Sequence, residues 1–377
     1  MSLASSINPF KFASDIAKGE YFADREKEMR DLRYQLKQGA RILIYSARRY
    51  GKTALIMNVL DELVKEKHQT AYFDVSTAPD KSLFISKYKS LFIKAGTREW
   101  FFDWAKKNLP KIKLSLGDLE IDLSGLSDSD LDVAFDRIID LPQQLGSKTG
   151  RRVIVALDEF HEVRSLDSKR TENLLRSKFQ SHDKVSYVFS GSKHHVLQDM
   201  FETSGSPFYK SARIFELKRI PKDAYAEFIT SRFKKTKIVI HKDQVGEILS
   251  KTDSHTYFTQ QLCHELWDVC RVREHFVVQN EDIPTAITQV VLNQSAVYEK
   301  TWEDLSLGYR KLIIGILKIG GRQVWSEAFK KETRLSDGAI EKGLKYATEN
   351  YLIEKESNGK YQIPDVFFRE WLEKKLQ

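Results

Sequence analysis

The chain has 377 residues, 41% of them hydrophobic and 30% charged, with a formal net charge of +8. That length exceeds one ordinary core and predicts two or three domains, and with no apolar run long enough to span a bilayer, membrane-spanning helices are excluded. The basic excess is spread along the chain, so composition argues for a mildly basic soluble surface rather than a dedicated polyanion binder.

The start, MSLASSINPFKF, lacks the charged beginning and apolar core of a secretory leader. A cytoplasmic location with no membrane partner is therefore the default expectation. Short apolar runs then alternate with helical patterns. RILIYS (41–46), TAYFDVS (70–76), RVIVALDE (152–159), VSYVFSGS (185–192) and RIFELK (213–218) read as strands. Most are continuously apolar, as strands covered on both faces are. KTALIMNVLDELVKEK (52–67) and DSDLDVAFDRIIDLPQQL (128–145) read as helices between them, and such alternation predicts a parallel α/β sheet. One segment differs. PKIKLSLGDLEIDLSG (110–125) alternates strictly about Gly117-Asp118 and predicts an inserted β-hairpin.

Beyond residue 218 the strands give way to helical periodicity in KDAYAEFITSRFKK, KDQVGEILSKT and TYFTQQLCHELWDVCRV, a small helical subdomain expected to reach residue 300. Its two cysteines, Cys263 and Cys270, read as reduced core thiols, because no zinc-ligand spacing surrounds them. HEVRS (161–165) likewise fails as a metalloprotease motif, lacking the second histidine. From 301 to 377, three short helices, a hairpin turning at Asn358-Gly359 and a closing helix, DVFFREWLEKKL, predict a winged helix.

The chemistry concentrates in ILIYSARRYGKTALI, 42–56. An apolar strand ends at Tyr45, a polar loop runs through Ser46, Ala47, Arg48, Arg49, Tyr50 and Gly51, and a helix opens with Lys52, Thr53 and Ala54. In that context the loop and helix N-terminus would direct backbone N–H groups at phosphate oxygens. Lys52 would reach the terminal phosphates, and the Thr53 hydroxyl would ligate Mg²⁺. Ser46 stands where a phosphate loop usually has its first glycine, a replacement a small residue accommodates if its φ stays negative. A second element supports the first: Asp158 and Glu159 end the strand RVIVALDE. Asp158 would hold the water shell of Mg²⁺, and Glu159 would polarise the attacking water.

RRYGKTALI and VIVALDEFHEV resemble the archaeal-type P-loop ATPases of the STAND group, relatives of the AAA-plus ATPases. The resemblance runs from NPFKF (8–12) to PDVFFREWL (364–372). It implies a nucleotide-binding core over 1–218, a helical lid over 219–300 and a winged helix over 301–377, with ATP or ADP and Mg²⁺ as cofactors. YFADREKEM (21–29) is similar to the segment that lies against the adenine in relatives. That similarity implies contacts from Tyr21 and Phe22; Arg25, Glu26 and Glu28 match, while Asp24 replaces a glycine. VFSGSKHHVL resembles the sensor strand, implying Ser190 or Ser192 near the γ-phosphate or the attacking water. SPFYKSARIFELK implies Arg213 as an arginine sensing the γ-phosphate, with Lys210 behind it. DSHTYFTQQL resembles the Gly-Gly-x-Pro segment of the lid; His255 remains, and both glycines and the proline are absent.

The function implied is a slowly hydrolysing, Mg-ATP-dependent molecular switch. Two alternatives stay open: a nucleotide-holding module with little hydrolysis, and an ATP-dependent factor associated with DNA. The candidate recognition helix SDGAIEKGLKYATEN (336–350) has no arginine, and its lysines are offset by acids, so a partner protein is expected ahead of DNA.

Overall fold

Alternation decides which faces of the sheet are covered, and here both are. The computed structural model describes residues 7–12, 16–23, 25–46, 48–93, 98–109, 113–114, 121–123, 125–356 and 358–377. In chain order the strands of the first part are β1 (Arg41–Tyr45), β2 (Gln69–Asp74), β3 (Lys113–Leu114), β4 (Ile121–Asp122), β5 (Val153–Asp158), β6 (Val185–Phe189) and β7 (Arg213–Glu216). Five of them form a parallel sheet in the order β2-β5-β6-β1-β7. Along β5, Val153, Val155 and Leu157 join one hydrophobic cluster, while Ile154 and Ala156 join another. The period of two therefore delivers successive side chains to cores on opposite faces. Every β5 residue is buried, as expected of a strand flanked on both edges and covered on both sides. The register sets Asp74 beside Asp158 and Leu157 beside Phe189, which aligns the carboxyl ends of the strands at one rim of the sheet.

One sequence expectation changes here and another holds in its described part. The helix expected over 128–145 is two helices, Asp128–Ile139 and Leu141–Thr149, the second with a proline in its first turn. Pro142 has no N–H to donate backwards and its ring clashes with the preceding turn, so it starts a helix rather than continuing one. For the hairpin, Lys113 pairs with Asp122 and Leu114 with Ile121 in antiparallel register; the turn at Gly117-Asp118 lies outside the described residues.

The chain divides into two compact units, Ile16–Arg219 and a second made of Met1–Asp15 with Ile220–Gln377. The segment before residue 16 thus groups away from the strand-bearing core in which the sequence placed it. Its side chains explain why. Phe10 is buried and lies 4.9 Å from the Phe233 ring, and Asn8 donates to the carbonyl of His264 at 3.0 Å.

Within the second unit, helices Lys222–Lys235, Lys242–Lys251, Thr256–Val272 and Asp282–Glu303 precede the winged helix. The latter comprises helices Leu307–Ile319, Glu327–Thr333 and Asp337–Glu349, the hairpin of β8 (Glu354–Lys355) with β9 (Tyr361–Gln362), and helix Val366–Lys375. Ser306, Ser326 and Ser336 each cap their helix by accepting from the backbone N–H three residues on, satisfying otherwise orphaned donors. Helical domain and winged helix share one core: Tyr298 packs on Phe368 and Trp371, and Arg369 pairs with Asp253.

Gly315 lies at a tight point of the winged-helix packing. A Cβ at Gly315 would lie 2.5 Å from Thr333 Cγ2 and 2.8 Å from Phe329 Cζ. Gly315→Ala is expected to destabilise this unit by about 1–3 kcal/mol through overpacking, measured by chemical denaturation; unchanged stability would show that helix Glu327–Thr333 yields freely.

Candidate nucleotide site

The site is assembled at the carboxyl rim of the sheet, from the loops that follow β1, β5 and β6. Gly51 takes φ 87° and caps helix Lys52–Lys65, a left-handed conformation that glycine adopts without a Cβ clash. Arg49 is also left-handed, at φ 63°, whereas Ser46 is not among the positive-φ residues. That is the physical reason a serine serves at the first loop position: its backbone makes no demand for glycine.

Ser46 also has a partner. Lys52 Nζ donates to both the carbonyl oxygen and the Oγ of Ser46, each at 3.2 Å, and the lysine is buried. Burial pushes the Lys52 ammonium down from its ordinary value, against the opposing pull of the Asp158 and Glu159 carboxylates. An ammonium held this way, at a helix N-terminus, is arranged to meet an anion.

Asp158 is the hub. Its Oδ2 accepts from Thr53 Oγ1 and from the Tyr72 hydroxyl, both at 2.8 Å. Its Oδ1 accepts from Ser190 Oγ at 2.6 Å and from the Glu159 backbone N–H at 3.0 Å. The carboxylate is thereby fixed from β2, β6 and the phosphate loop at once. Burial, then the Asp158 charge, pushes the Tyr72 phenol up, so it remains a donor. Ser190→Ala would leave Oδ1 of a buried carboxylate one donor short. It is expected to cost about 1–3 kcal/mol of stability, read from the denaturation midpoint; a loss under about 0.5 kcal/mol would mean the bond contributes nothing net.

Glu159 follows with φ 49° and ψ 40°, a left-handed conformation that costs about 1–3 kcal/mol in a non-glycine residue and concentrates at functional sites. Its Oε2 accepts from both the backbone N–H and the Oγ of Ser192, each at 2.9 Å.

A hydroxyl and a carboxylate 2.8 Å apart beside a phosphate loop suit a hard cation whose other ligands are water and phosphate oxygens. Among the described residues no group of three His, Cys, Asp or Glu side chains is placed to hold a metal by itself.

Residues 22–262 match the family of ATPase domains found predominantly in Archaea. The chain belongs to that family. Residues 296–374 of this archaeal-type ATPase match a probable winged helix domain. The fold is shared with the Walker-type ATPase PABY2304 of Pyrococcus abyssi, at 20% identity and TM-score 0.68, over 95% of this chain and 97% of that one. It is also shared with the Aeropyrum pernix ORC2 protein, solved as ADPNP-ADP complexes, at 13% identity and TM-score 0.53 over 94% and 95%. The A. pernix ORC1 protein, solved in complex with DNA, follows at 15% identity and TM-score 0.51 over 93% and 92%. No curated protein sequence matches the ATPase significantly.

Other residues marked out by the sequence fall in different places. Arg25 is buried; it donates to the carbonyls of Lys218 at 2.6 Å and Tyr50 at 3.4 Å, and pairs with Glu28. It ties the chain leaving β7 to the phosphate loop. Gly19 donates to Asn58 Oδ1, and Asn58 donates to Ala17 and Ala54, so the turn carrying Tyr21 is pinned to the helix that carries Lys52. Phe22 packs on the apolar cluster around β1. Tyr50 accepts a bond from Arg219 at 3.1 Å, and Arg48 flanks Lys52 as a like charge. Ala47 and Asp24 lie outside the described residues.

Arg213 is not brought to this cluster. It opens β7 opposite Ile42, whereas the loop leaves β1 after Tyr45, level with Glu216. At a rise of about 3.3 Å per residue, that separates it from the loop by roughly 10 Å along the sheet. The sequence already put Arg213 at the start of its strand, and the parallel register with β1 places that start level with Ile42, away from the loop. Lys210 lies in the loop before β7, its Nζ over the Tyr209 ring. His255 belongs to the second unit, where it caps helix Thr256–Val272 by accepting from the Tyr257 N–H.

Sequence reasoning missed Tyr72, His161, Tyr45 and His194. The Tyr45 hydroxyl and His194 Nδ1 lie 3.0 Å apart across the loop. Burial first, then the Lys52 charge, pulls His194 down to about 4. For Tyr45, His161 and His194 the one available signal was position, since each sits within three residues of a recognised motif; Tyr72 carried none, and reaches Asp158 only because β2 pairs with β5.

Proposed function

We propose that this ATPase binds Mg-ATP at the loop 46–53 and hydrolyses it slowly, as a STAND-type nucleotide switch. The observation that carries the reading is the joint between Thr53 and Asp158, which brings the phosphate loop and the acidic strand end to a single point.

The chemistry Mg²⁺ would supply there is neutralisation of the charge that develops during phosphoryl transfer. Thr53 and Asp158 would hold it, directly and through water. Lys52 exchanges the Ser46 oxygens for the β- and γ-phosphates, retaining a charge-assisted bond throughout. Loop N–H groups fix the phosphate chain. Glu159 accepts the proton of the attacking water, and Ser192 orients that carboxylate. Slow turnover is inferred from the lid segment 253–262 alone, in which the Gly-Gly-x-Pro residues of the family pattern are absent.

The winged helix is assigned to packing against protein rather than to base reading. Its third helix exposes Asp337, Glu341 and Glu349 beside Lys342 and Lys345, a poor match to a phosphate backbone. The relative solved with DNA supports only the fold-level alternative.

Calorimetric titration with Mg-ATP and Mg-ADP, with phosphate release followed in parallel, tests the reading. Micromolar binding with slow release is the expected result. Tight binding without release leaves a nucleotide-holding module, and absence of binding ends the proposal. Salt-dependent retention on duplex DNA in the same preparation would restore the DNA-associated alternative.

A further inference from the structure

His161 belongs to the one sequence motif that the function above leaves unused. It follows the general-base candidate by two residues and is buried. Its Nε2 lies 3.0 Å from Glu162 Oε1, and its Nδ1 lies 3.4 Å from Glu159 Oε2. Glu162 Oε1 in turn accepts from Lys193 Nζ at 2.9 Å. Lys193 is the neighbour of Ser192, whose N–H and Oγ hold Glu159. The contacts therefore close a ring: Glu159, His161, Glu162, Lys193, Ser192 and back to Glu159.

Room for the imidazole is provided by Gly191. A Cβ there would come within 2.9 Å of His161 Nδ1 and 3.4 Å of the Glu159 Cα. The glycine after β6 thus admits the ring against the backbone of the glutamate.

We infer that His161 is a positioning residue for Glu159, a wedge that sets the carboxylate against Ser192 and links its position to the loop after β6. This rests on the assignment of Glu159 as general base. The chemistry follows from the two ring nitrogens. The Glu162 contact places the proton on Nε2, so Nδ1 presents a lone pair. Among the described residues Nδ1 has no hydrogen-bond partner, and it faces a carboxylate oxygen across 3.4 Å. Two acceptors at that distance repel, while the two Ser192 bonds attract. Glu159 is consequently held but not locked, which suits a base that must turn toward water once nucleotide arrives. The charges facing the ring are Glu159, Glu162 and Lys193; burial outweighs the two carboxylates and pulls the imidazole down from its ordinary value. Acid reverses the balance, because an imidazolium would donate to both glutamates and lock the base in place.

Two measurements on the full chain test the wedge. In the first, the His161 ring is followed by NMR in ¹³C-histidine-labelled protein, its signal identified by loss in His161→Gln. Glu159→Gln is expected to lower the titration midpoint of His161, because a facing negative charge disappears; an unmoved midpoint overturns the inference. This arm needs no turnover, so it decides the coupling even if the hydrolytic reading fails. In the second, ATP turnover is measured for His161→Phe and His161→Gln, with folding checked by thermal melting. His161→Phe is expected to reduce kcat at least about fivefold with the KM for ATP unchanged. His161→Gln, which keeps a polar edge, is expected to recover part of the rate and to lose the acid limb of the pH profile. Wild-type kcat in a folded His161→Phe protein would overturn the wedge. Loss of wild-type turnover altogether would strike the function proposal alone.

Discussion

Lys52→Ala is expected to abolish Mg-ATP binding, raising Kd at least about 100-fold, equivalent to roughly 2.7 kcal/mol. The argument is differential. In the nucleotide-free protein the ammonium is buried and donates to two neutral oxygens of Ser46, with Asp158 and Glu159 as the nearby opposite charges. With nucleotide it would instead face phosphate, so the same charged donor would meet an ionised acceptor and gain the attraction between opposite charges. Alanine removes that gain and leaves the loop amides alone to meet the phosphate charge. Folding should survive, because deleting a buried ammonium removes its desolvation cost along with the two bonds to Ser46. Calorimetry with Mg-ATP beside a thermal melt checks both halves. Wild-type affinity in Lys52→Ala would show that phosphate binds elsewhere and would sink the site.

Glu159→Gln is expected to separate binding from chemistry. Glutamine keeps the size of the side chain and an acceptor oxygen for the two Ser192 bonds, but it does not take a proton. Nucleotide affinity should remain within about threefold while phosphate release falls at least about 100-fold, the low end of what a positioned general base contributes. The left-handed backbone at Glu159 is unchanged by the substitution, so stability should hardly move. Equal turnover in mutant and wild type would transfer the role of base to another group or to solvent. Equal loss of binding and turnover would mean that Glu159 shapes the pocket rather than acting on water.

The chemistry-bearing side chains were legible at the level of type and order. A strand running into Gly51-Lys52-Thr53 and a strand running into Asp158-Glu159 are local patterns, each written in a dozen consecutive residues. Their meeting is another matter. Thr53 and Asp158 touch because β1 and β5 lie in one sheet with β6 between them, and sequence separation carries no record of strand order. Arg213 illustrates the limit: its strand was predicted, its distance from the loop was set by register. Ser190 and Ser192 were both nominated for the phosphate end of the site, and the structure gives them different partners, Asp158 and Glu159. The residue count between them could not distinguish the roles.

Helix ends and the winged-helix elements were also local matters. The Asn358-Gly359 turn acts within a few residues and was read as such, whereas the break at Pro142 is equally local and was nonetheless read through as one helix over 128–145. The affiliation of residues 7–12 was not local, because Phe10 finds Phe233 more than two hundred positions away. The sequence by itself thus determined the elements, the apolar faces and the reactive groups of this ATPase, since propensity, periodicity and capping depend on neighbours. Only the tertiary structure decided which of those groups share a site, because strand order, register and the packing of two hydrophobic faces are properties of contacts between distant segments.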